Sequence, residues 1–144
     1  MSSASSALFA SPWMRSIFSG LAGFVAYGGW AYFANLEHGS AIAMRAGLVQ
    51  GSYSLVLTFF MTLFTEFAFV KIYGLPFAKL LTTGAIAIVL TSTAYFIHLF
   101  VGTPEIIMTI LPGALIGTTY TFMYIVGLER SMMRNSNQNV KTPS

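Results

Sequence analysis

The sequence predicts an all-α membrane protein, in which four transmembrane helices form an antiparallel up-down bundle. Of the 144 residues, 56% are hydrophobic and only 8% are charged, whereas soluble domains carry roughly 25% charged residues. So few charges leave too little polar surface to face water, and we expect lipid to surround most of the exterior. The second observation is a set of four segments without Asp, Glu, Lys or Arg, at residues 16–36, 46–65, 80–102 and 106–128, each of which reaches the ~20 residues that a spanning helix needs.

The predicted helices cover residues 16–36, 46–70, 80–102 and 106–128. Backbone amides in lipid must bond within their own segment, which favours helices over isolated strands. The first helix is longer than the roughly 7–15-residue apolar region of a cleaved signal peptide, so we expect it to be retained. A polar N-terminal segment, residues 1–15, precedes the transmembrane domain 16–134, and residues 135–144 are predicted to form a flexible cytoplasmic tail.

Short connections join the predicted helices at residues 37–45, 71–79 and 102–105, and such connections require antiparallel neighbours. Only Arg45 falls on one side of the predicted bundle. The other six basic residues fall on the opposite side: Arg15, Lys71, Lys79, Arg130, Arg134 and Lys141. Because short loops rich in Lys and Arg stay in the cytoplasm, both termini are predicted to be cytoplasmic. Minimal loops and the absence of sorting motifs favour the bacterial inner (plasma) membrane.

The sequence resembles itself when it is shifted by 63 residues, because identical residues recur at that separation. Ala31-Tyr32-Phe33 aligns with Ala94-Tyr95-Phe96, and Glu66 aligns with Glu129. This shift superimposes the first two predicted helices on the last two without a gap. It indicates a tandem repeat of a helical hairpin, with both copies starting on the same side of the membrane. Chance similarity between two apolar hairpins is the alternative.

Two rows of polar or small residues recur at four-residue spacing, and the 63-residue shift places one row on the other. They are Gln50, Ser54 and Thr58 in the second helix, and Gly113, Gly117 and Thr121 in the fourth. Small residues let membrane helices approach closely. We therefore predict helix packing at four glycines: Gly47, Gly51, Gly113 and Gly117.

The same rows can instead line a path for a substrate, and Pro112 favours this second interpretation. A proline removes the hydrogen bond to the carbonyl four residues earlier, here that of Met108, and can open the helix there. The hydroxyl of Thr109 is a candidate to replace the missing bond.

Five ionisable residues fall near the outer surface of the predicted bundle: Glu37, His38, Arg45, His98 and Glu105. Together they can bind an anionic headgroup or a diphosphate, with Arg45 as the principal charge. Ordinary solvated loop charge is the alternative. Their spacing matches no metal motif, so neither a metal site nor a cofactor is predicted. On the opposite side, Glu66 is expected to pair with Lys71 or Lys79, and an ion-coupling carboxylate is the alternative.

Function is predicted by class only. The chain has no Cys and no Asp, so an enzyme is the least supported class and no catalytic residue is predicted. Scattered basic residues exclude nucleic acid as a partner. We expect a transporter or flippase for a lipid or polyprenyl-linked substrate, acting as a homo-oligomer; the alternative is a non-catalytic accessory subunit that joins other membrane subunits. The predicted substrate-binding residues are Arg45, Gln50, Ser54, Thr58, His98, Glu105 and Thr121.

Overall fold

The computed structural model describes residues 12–141, which form four long α-helices and one 3-10 turn, with no strand in that range. The helices are α1 (Pro12–Ala34), α2 (Ser40–Ile72), α3 (Ala78–Val101) and α4 (Ile106–Lys141), and the 3-10 turn covers Leu36–His38. Most of the predicted N-terminal segment, residues 1–11, and the last three residues of the predicted tail, 142–144, lie outside the described residues.

The observed helices differ most from the predicted ones at the start of α2 and at the end of α4. Helix α2 begins at Ser40, so residues 40–45 are helical where a loop was expected, and Arg45 lies on the helix. Nothing between Ser40 and Arg45 disfavours a helix, because the segment contains no Gly or Pro. For the same reason α4 continues past the predicted end at residue 128 and reaches Lys141.

Among the described residues, two helices are long and apolar enough to cross a membrane: Ala78–Val101 and Ile106–Arg134. Helix α2 bends by 54° between its parts Ser40–Thr58 and Leu63–Ile72, and it counts as a third when both parts form one span. Large apolar side chains are exposed along the helices, and Phe100 is 94% exposed. Apolar surface on this scale is typical of a chain that meets lipid or other protein.

Helices α1 and α2 pack through a set of glycines that we call the glycine seam: Gly28, Gly47 and Gly51. A Cβ added at Gly28 would stand 2.8 Å from the carbonyl oxygen of Gly47, and one at Gly47 would stand 2.8 Å from that of Gly28. A Cβ at Gly51 would stand 2.9 Å from the carbonyl oxygen of Phe24. The two backbones therefore touch, and no side chain fits between them.

The two helical hairpins turn at the same end of the bundle, which we call the histidine end because His38 and His98 lie there. Gly39 and Gly102 make these turns with φ values of +99° and +73°, a conformation that favours glycine. The opposite end, which we call the lysine end after Lys71 and Lys79, holds a small apolar cluster. Its members are Phe69, Ala78 and Ile125, packed against Ile72, Leu128 and Met132.

Candidate functional site

A cavity of about 330 Å³ lies between α2, α3 and α4. Helix α3 contributes apolar side chains that include Ile86, Leu90 and Ala94, and α1 reaches it through Tyr27. None of the described residues that line the cavity is an Asp, Glu, Lys, Arg or His. The wall contains both rows found in the sequence: Gln50, Ser54 and Thr58 on α2, and Gly113, Gly117 and Thr121 on α4.

The cavity exists because α4 has no side chains at two positions that face α2. A Cβ at Gly113 would stand 3.3 Å from Nε2 of Gln50, and a Cβ at Gly117 would stand 3.9 Å from Cε of Met61. Both neighbours are ends of side chains rather than backbone atoms. These two glycines were predicted to pack helices, and both line the cavity, where Gly113 lies close against the Gln50 amide and Gly117 leaves room for a Cβ. The 54° bend of α2 lies beside the wall residues Thr58 and Met61.

Three hydroxyl groups of the cavity wall donate to their own helices. Ser54 Oγ donates to the Gln50 carbonyl at 2.9 Å, and Thr58 Oγ1 donates to the Ser54 carbonyl at 2.9 Å. Thr121 Oγ1 donates to the Gly117 carbonyl at 2.8 Å. Such local bonds use the hydroxyl proton and leave the oxygen lone pairs free. These three side chains therefore offer acceptors, not donors, to the cavity.

Gln50 is held at the histidine end of the cavity by a buried chain of hydrogen bonds. Its Oε1 lies 2.9 Å from Nε2 of His98, and Nδ1 of His98 lies 2.8 Å from Oγ1 of Thr103. His98 is fully buried and Gln50 is 3% exposed. The pairing is satisfied when the Thr103 hydroxyl donates to Nδ1 and the protonated Nε2 donates to Oε1 of Gln50. His98 thus orients the amide from behind and does not line the cavity.

The predicted charged cluster is divided at the histidine end. Arg45 donates from Nη2 to the Gly102 carbonyl at 3.1 Å, and Glu105 Oε1 lies 3.2 Å from Nε2 of His38. Neither Arg45 nor Glu105 lines the cavity. Of the seven predicted substrate-binding residues, four therefore lie in the wall, His98 lies behind Gln50, and the two charged residues lie apart from the cavity.

Asn35 was not singled out from the sequence, although it links the two hairpins. It is fully buried, and its Nδ2 donates to the Ala31 carbonyl at 2.8 Å and to Oγ1 of Thr109 at 2.7 Å. Its Oδ1 accepts from the backbone amide of Glu105 at 3.0 Å. Asn35 aligns with His98 under the 63-residue shift. This alignment of two polar residues in apolar surroundings is the sequence signal that could have identified Asn35.

The carbonyl that Pro112 leaves without an amide has a partner on another helix. Nε1 of Trp30 donates to the Met108 carbonyl at 2.7 Å. Thr109, expected to repair this defect, donates instead to the Glu105 carbonyl at 2.6 Å. The indole of α1 therefore replaces the bond that the proline removes, and α4 stays helical through Pro112.

At the lysine end, the pairs differ from those expected. Lys79 Nζ bonds Oε2 of Glu129 at 2.6 Å, and Tyr124 donates its hydroxyl to Oε2 of Glu66 at 3.4 Å. Lys71 Nζ lies 4.7 Å from the centroid of the Phe67 ring, a cation–π distance. The prediction that Glu66 pairs with a lysine is therefore wrong, because α4 brings Glu129 to Lys79 and Tyr124 to Glu66.

Comparisons of the chain with protein-family models, with curated proteins and with solved structures found no match. Function is therefore inferred from the cavity, the chemistry of its wall and the contacts at the two ends of the bundle.

Proposed function

We propose that the chain is a small transporter or flippase for a lipid-like molecule and that the cavity between α2, α3 and α4 is its substrate site. The cavity is the observation that carries the proposal. Ligand sites are typically concave, of roughly 300–1,000 Å³, mostly apolar and supplied with a few placed polar groups. This cavity has about 330 Å³, a largely apolar wall and one row of polar side chains. No catalytic step is proposed.

The proposed setting is a bacterial inner membrane crossed by all four helices, with both termini in the cytoplasm. The charge distribution supports this orientation, because Arg45 is at the histidine end while Lys71 and Lys79 are at the lysine end. The glycine seam supports four spans, since it packs α1 along α2 by backbone contact, as membrane helices do. In this arrangement, the two helices of each hairpin cross the membrane side by side.

The tandem repeat is supported by the contacts of two residues that the 63-residue shift aligns. Asn35 of the first hairpin bonds Thr109 of the second, and His98 of the second hairpin bonds Gln50 of the first. Each hairpin thus places a buried polar side chain near its turn and bonds the other hairpin with it. We propose that the fold is a duplicated hairpin whose copies are joined by these reciprocal bonds.

The proposed working unit is a homo-oligomer in contact with membrane lipid. Four helices enclose little volume, and a cavity of about 330 Å³ holds a part of a lipid rather than the whole molecule. Additional copies of the chain would complete a path across the membrane. Exposed apolar side chains on all four helices leave surface for such contacts.

Translocation in vesicles tests this proposal. The purified protein is reconstituted into vesicles of phosphatidylethanolamine and phosphatidylglycerol that carry a fluorescent phosphatidylethanolamine or, in parallel, a fluorescent polyprenyl phosphate. Dithionite added outside bleaches only the outer leaflet, so continued loss of fluorescence reports movement from the inner leaflet. We expect wild-type protein to accelerate that loss for at least one of the two probes.

Gly117→Leu is the variant that fills the cavity, and Gly127→Leu is its matched control. Both glycines lie on α4, but a Cβ at Gly127 meets nothing within 4 Å. We expect Gly117→Leu to lower translocation to the rate of protein-free vesicles while Gly127→Leu keeps the wild-type rate. The proposal fails when wild-type protein accelerates neither probe, or when Gly117→Leu is as active as wild type. An inactive protein that purifies with a stoichiometric foreign chain would favour the accessory-subunit hypothesis.

A further inference from the structure

Gln50 presents its amide Nε2 to the cavity, where no described residue accepts a hydrogen bond from it. The side chain is 3% exposed, and its Oε1 is engaged by His98. Its Nε2 makes no hydrogen bond within residues 12–141 and lies 3.3 Å from the position of a Cβ at Gly113, on the cavity wall. An unpaired amide donor in an apolar wall is costly, so a ligand that accepts from it gains affinity.

The amide of Gln50 is fixed in the orientation that presents its donor. Oε1 of Gln50 can only accept a hydrogen bond, so its 2.9 Å contact with Nε2 of His98 requires the ring proton on Nε2 and makes the Thr103 hydroxyl the donor to Nδ1. That proton requires an acceptor, and Oε1 of Gln50 is the atom opposite it. A 180° rotation of the Gln50 amide would place its Nε2–H₂ group against the Nε2–H group of His98, and two donors cannot bond each other. The chain Thr103–His98–Gln50 therefore directs the NH₂ group toward the cavity.

The remaining wall disfavours a charged ligand. None of its described residues carries a charge, and the hydroxyls of Ser54, Thr58 and Thr121 donate to their own helices. The other hydroxyls of the wall, which include those of Tyr27, Thr91 and Thr118, are also uncharged. At the histidine end, Arg45 bonds the Gly102 carbonyl and Glu105 contacts His38, and neither lines the cavity. A phosphate or an ammonium group in the cavity would lose its hydration without gaining an opposite charge, so a lipid with a charged headgroup places only an apolar part there.

We propose that the cavity binds an uncharged lipid that carries a carbonyl group. The apolar body of the ligand lies between α2, α3 and α4, and its carbonyl oxygen accepts a hydrogen bond from Nε2 of Gln50. Isoprenoid quinones have this chemistry, with an apolar chain and a ring whose only polar atoms are acceptors. The inference rests on the cavity of the proposed function and names the class of molecule that occupies it.

Equilibrium binding to the protein in lipid nanodiscs tests the inference, with protein-free nanodiscs as the blank. Three probes share a ten-carbon chain: decylubiquinone, which has carbonyls, decylbenzene, which has none, and decyl phosphate, which is anionic. We expect saturable binding of decylubiquinone and weaker binding of both decylbenzene and decyl phosphate. Saturable binding of decyl phosphate that is as tight as that of decylubiquinone would overturn the proposal.

Gln50→Leu keeps the bulk of the side chain and removes the donor, together with the acceptor that Oε1 offers to His98. We expect it to weaken decylubiquinone binding by about tenfold, the equivalent of one hydrogen bond, and to leave decylbenzene binding unchanged. The decylbenzene result also reports that the cavity is folded. Thr93→Val is the matched control, since the Thr93 hydroxyl donates to the Val89 carbonyl and its side chain does not line the cavity. Equal losses for both probes in Gln50→Leu would overturn the role of the amide.

The binding and translocation experiments test the two proposals separately, so either proposal can fail while the other holds. Saturable, Gln50-dependent binding of decylubiquinone without translocation of either fluorescent lipid would retain the ligand class and reject transport of those lipids. Translocation that Gly117→Leu abolishes, together with no saturable binding of decylubiquinone, would retain the transporter and reject the neutral carbonyl ligand.

Discussion

Glycines at four-residue spacing occur on α2 and again on α4, and the two pairs have opposite surroundings. On α2, Gly47 and Gly51 bring backbone against backbone, and a Cβ at either position would overlap α1. On α4, Gly113 and Gly117 face the ends of side chains and border a cavity of about 330 Å³. The spacing therefore identifies helix faces that carry little bulk, but it does not identify what fills the space opposite them.

The opposing helix decides the outcome. Helix α1 presents Gly28 to the glycines of α2, so that both surfaces are flat and the helices close. Helix α2 presents Gln50 and Met61 to the glycines of α4, and these longer side chains keep the backbones apart. Because Gln50 is tied to His98, it cannot turn aside to let the helices meet.

The largest expected effect comes from adding one methyl group to each kind of glycine. Gly47→Ala places a Cβ 2.8 Å from a backbone oxygen and 3.2 Å from Cβ of Tyr32, and we expect the free energy of unfolding to fall by about 1–3 kcal/mol. Gly117→Ala places a Cβ in ordinary contact, 3.9 Å from Met61, and we expect a gain of up to about 1 kcal/mol from helix propensity. Unfolding in mixed detergent–SDS micelles, followed by circular dichroism, measures both. Equal effects would remove the distinction between the glycine seam and the cavity.

An intermediate effect on stability is expected at Trp30. The indole of this α1 residue bonds the Met108 carbonyl of α4, which Pro112 leaves without a backbone amide. Trp30→Phe should lower the free energy of unfolding by about 1 kcal/mol, the scale of a hydrogen bond between membrane helices. Pro112→Ala restores an amide for the Met108 carbonyl, so Trp30→Phe should cost less in that background. A double-mutant cycle in the same unfolding assay measures the coupling, and additive losses would contradict the role assigned to the indole.

The smallest effect on the free energy of unfolding is expected at the lysine end, where neither pair of glycines makes contacts. The side chains of Lys79 and Glu129 are 40% and 23% exposed, and their contact is 2.6 Å long. Solvent screens such a pair, so Lys79→Met should lower the free energy of unfolding by less than about 1 kcal/mol. The difference between Lys79→Met and wild type should shrink further in 1 M salt, at which the screening length is ~3 Å. A loss as large as that of Gly47→Ala would show that this end, too, holds the bundle together.

Much of the helical architecture was predictable because it depends on local properties. Uncharged segments located α3 within two residues of its observed start, and the prediction that the fourth helix begins at residue 106 is confirmed. Charge and polarity between residues 37 and 45 predicted a loop, but α2 begins at Ser40, because residues 40–45 contain neither Gly nor Pro and only Gly39 makes the turn. Two helices among the described residues, or three with α2, meet the requirements of a span; four spans remain a prediction.

The cavity was only partly predictable. The rows that line it follow from four-residue spacing, which is a property of one helix. Whether such rows meet another helix or open space depends on the placement of three helices, which no local pattern encodes. Arg45 and Glu105 have the charge expected of a binding site, but the turns at the histidine end direct them to Gly102 and His38. Asn35 was overlooked because a single amide in an apolar helix has no periodicity of its own.

The reciprocal bonds of Asn35 and His98 have a consequence for biosynthesis. A ribosome delivers the first hairpin to the membrane before the second has been made. Until α4 arrives, the Asn35 amide has only the Ala31 carbonyl, and Gln50 has no imidazole to hold it. A half-made chain therefore leaves without these partners two amide side chains that the finished protein buries, and we expect this chemical difference to distinguish an incomplete chain from a completed one.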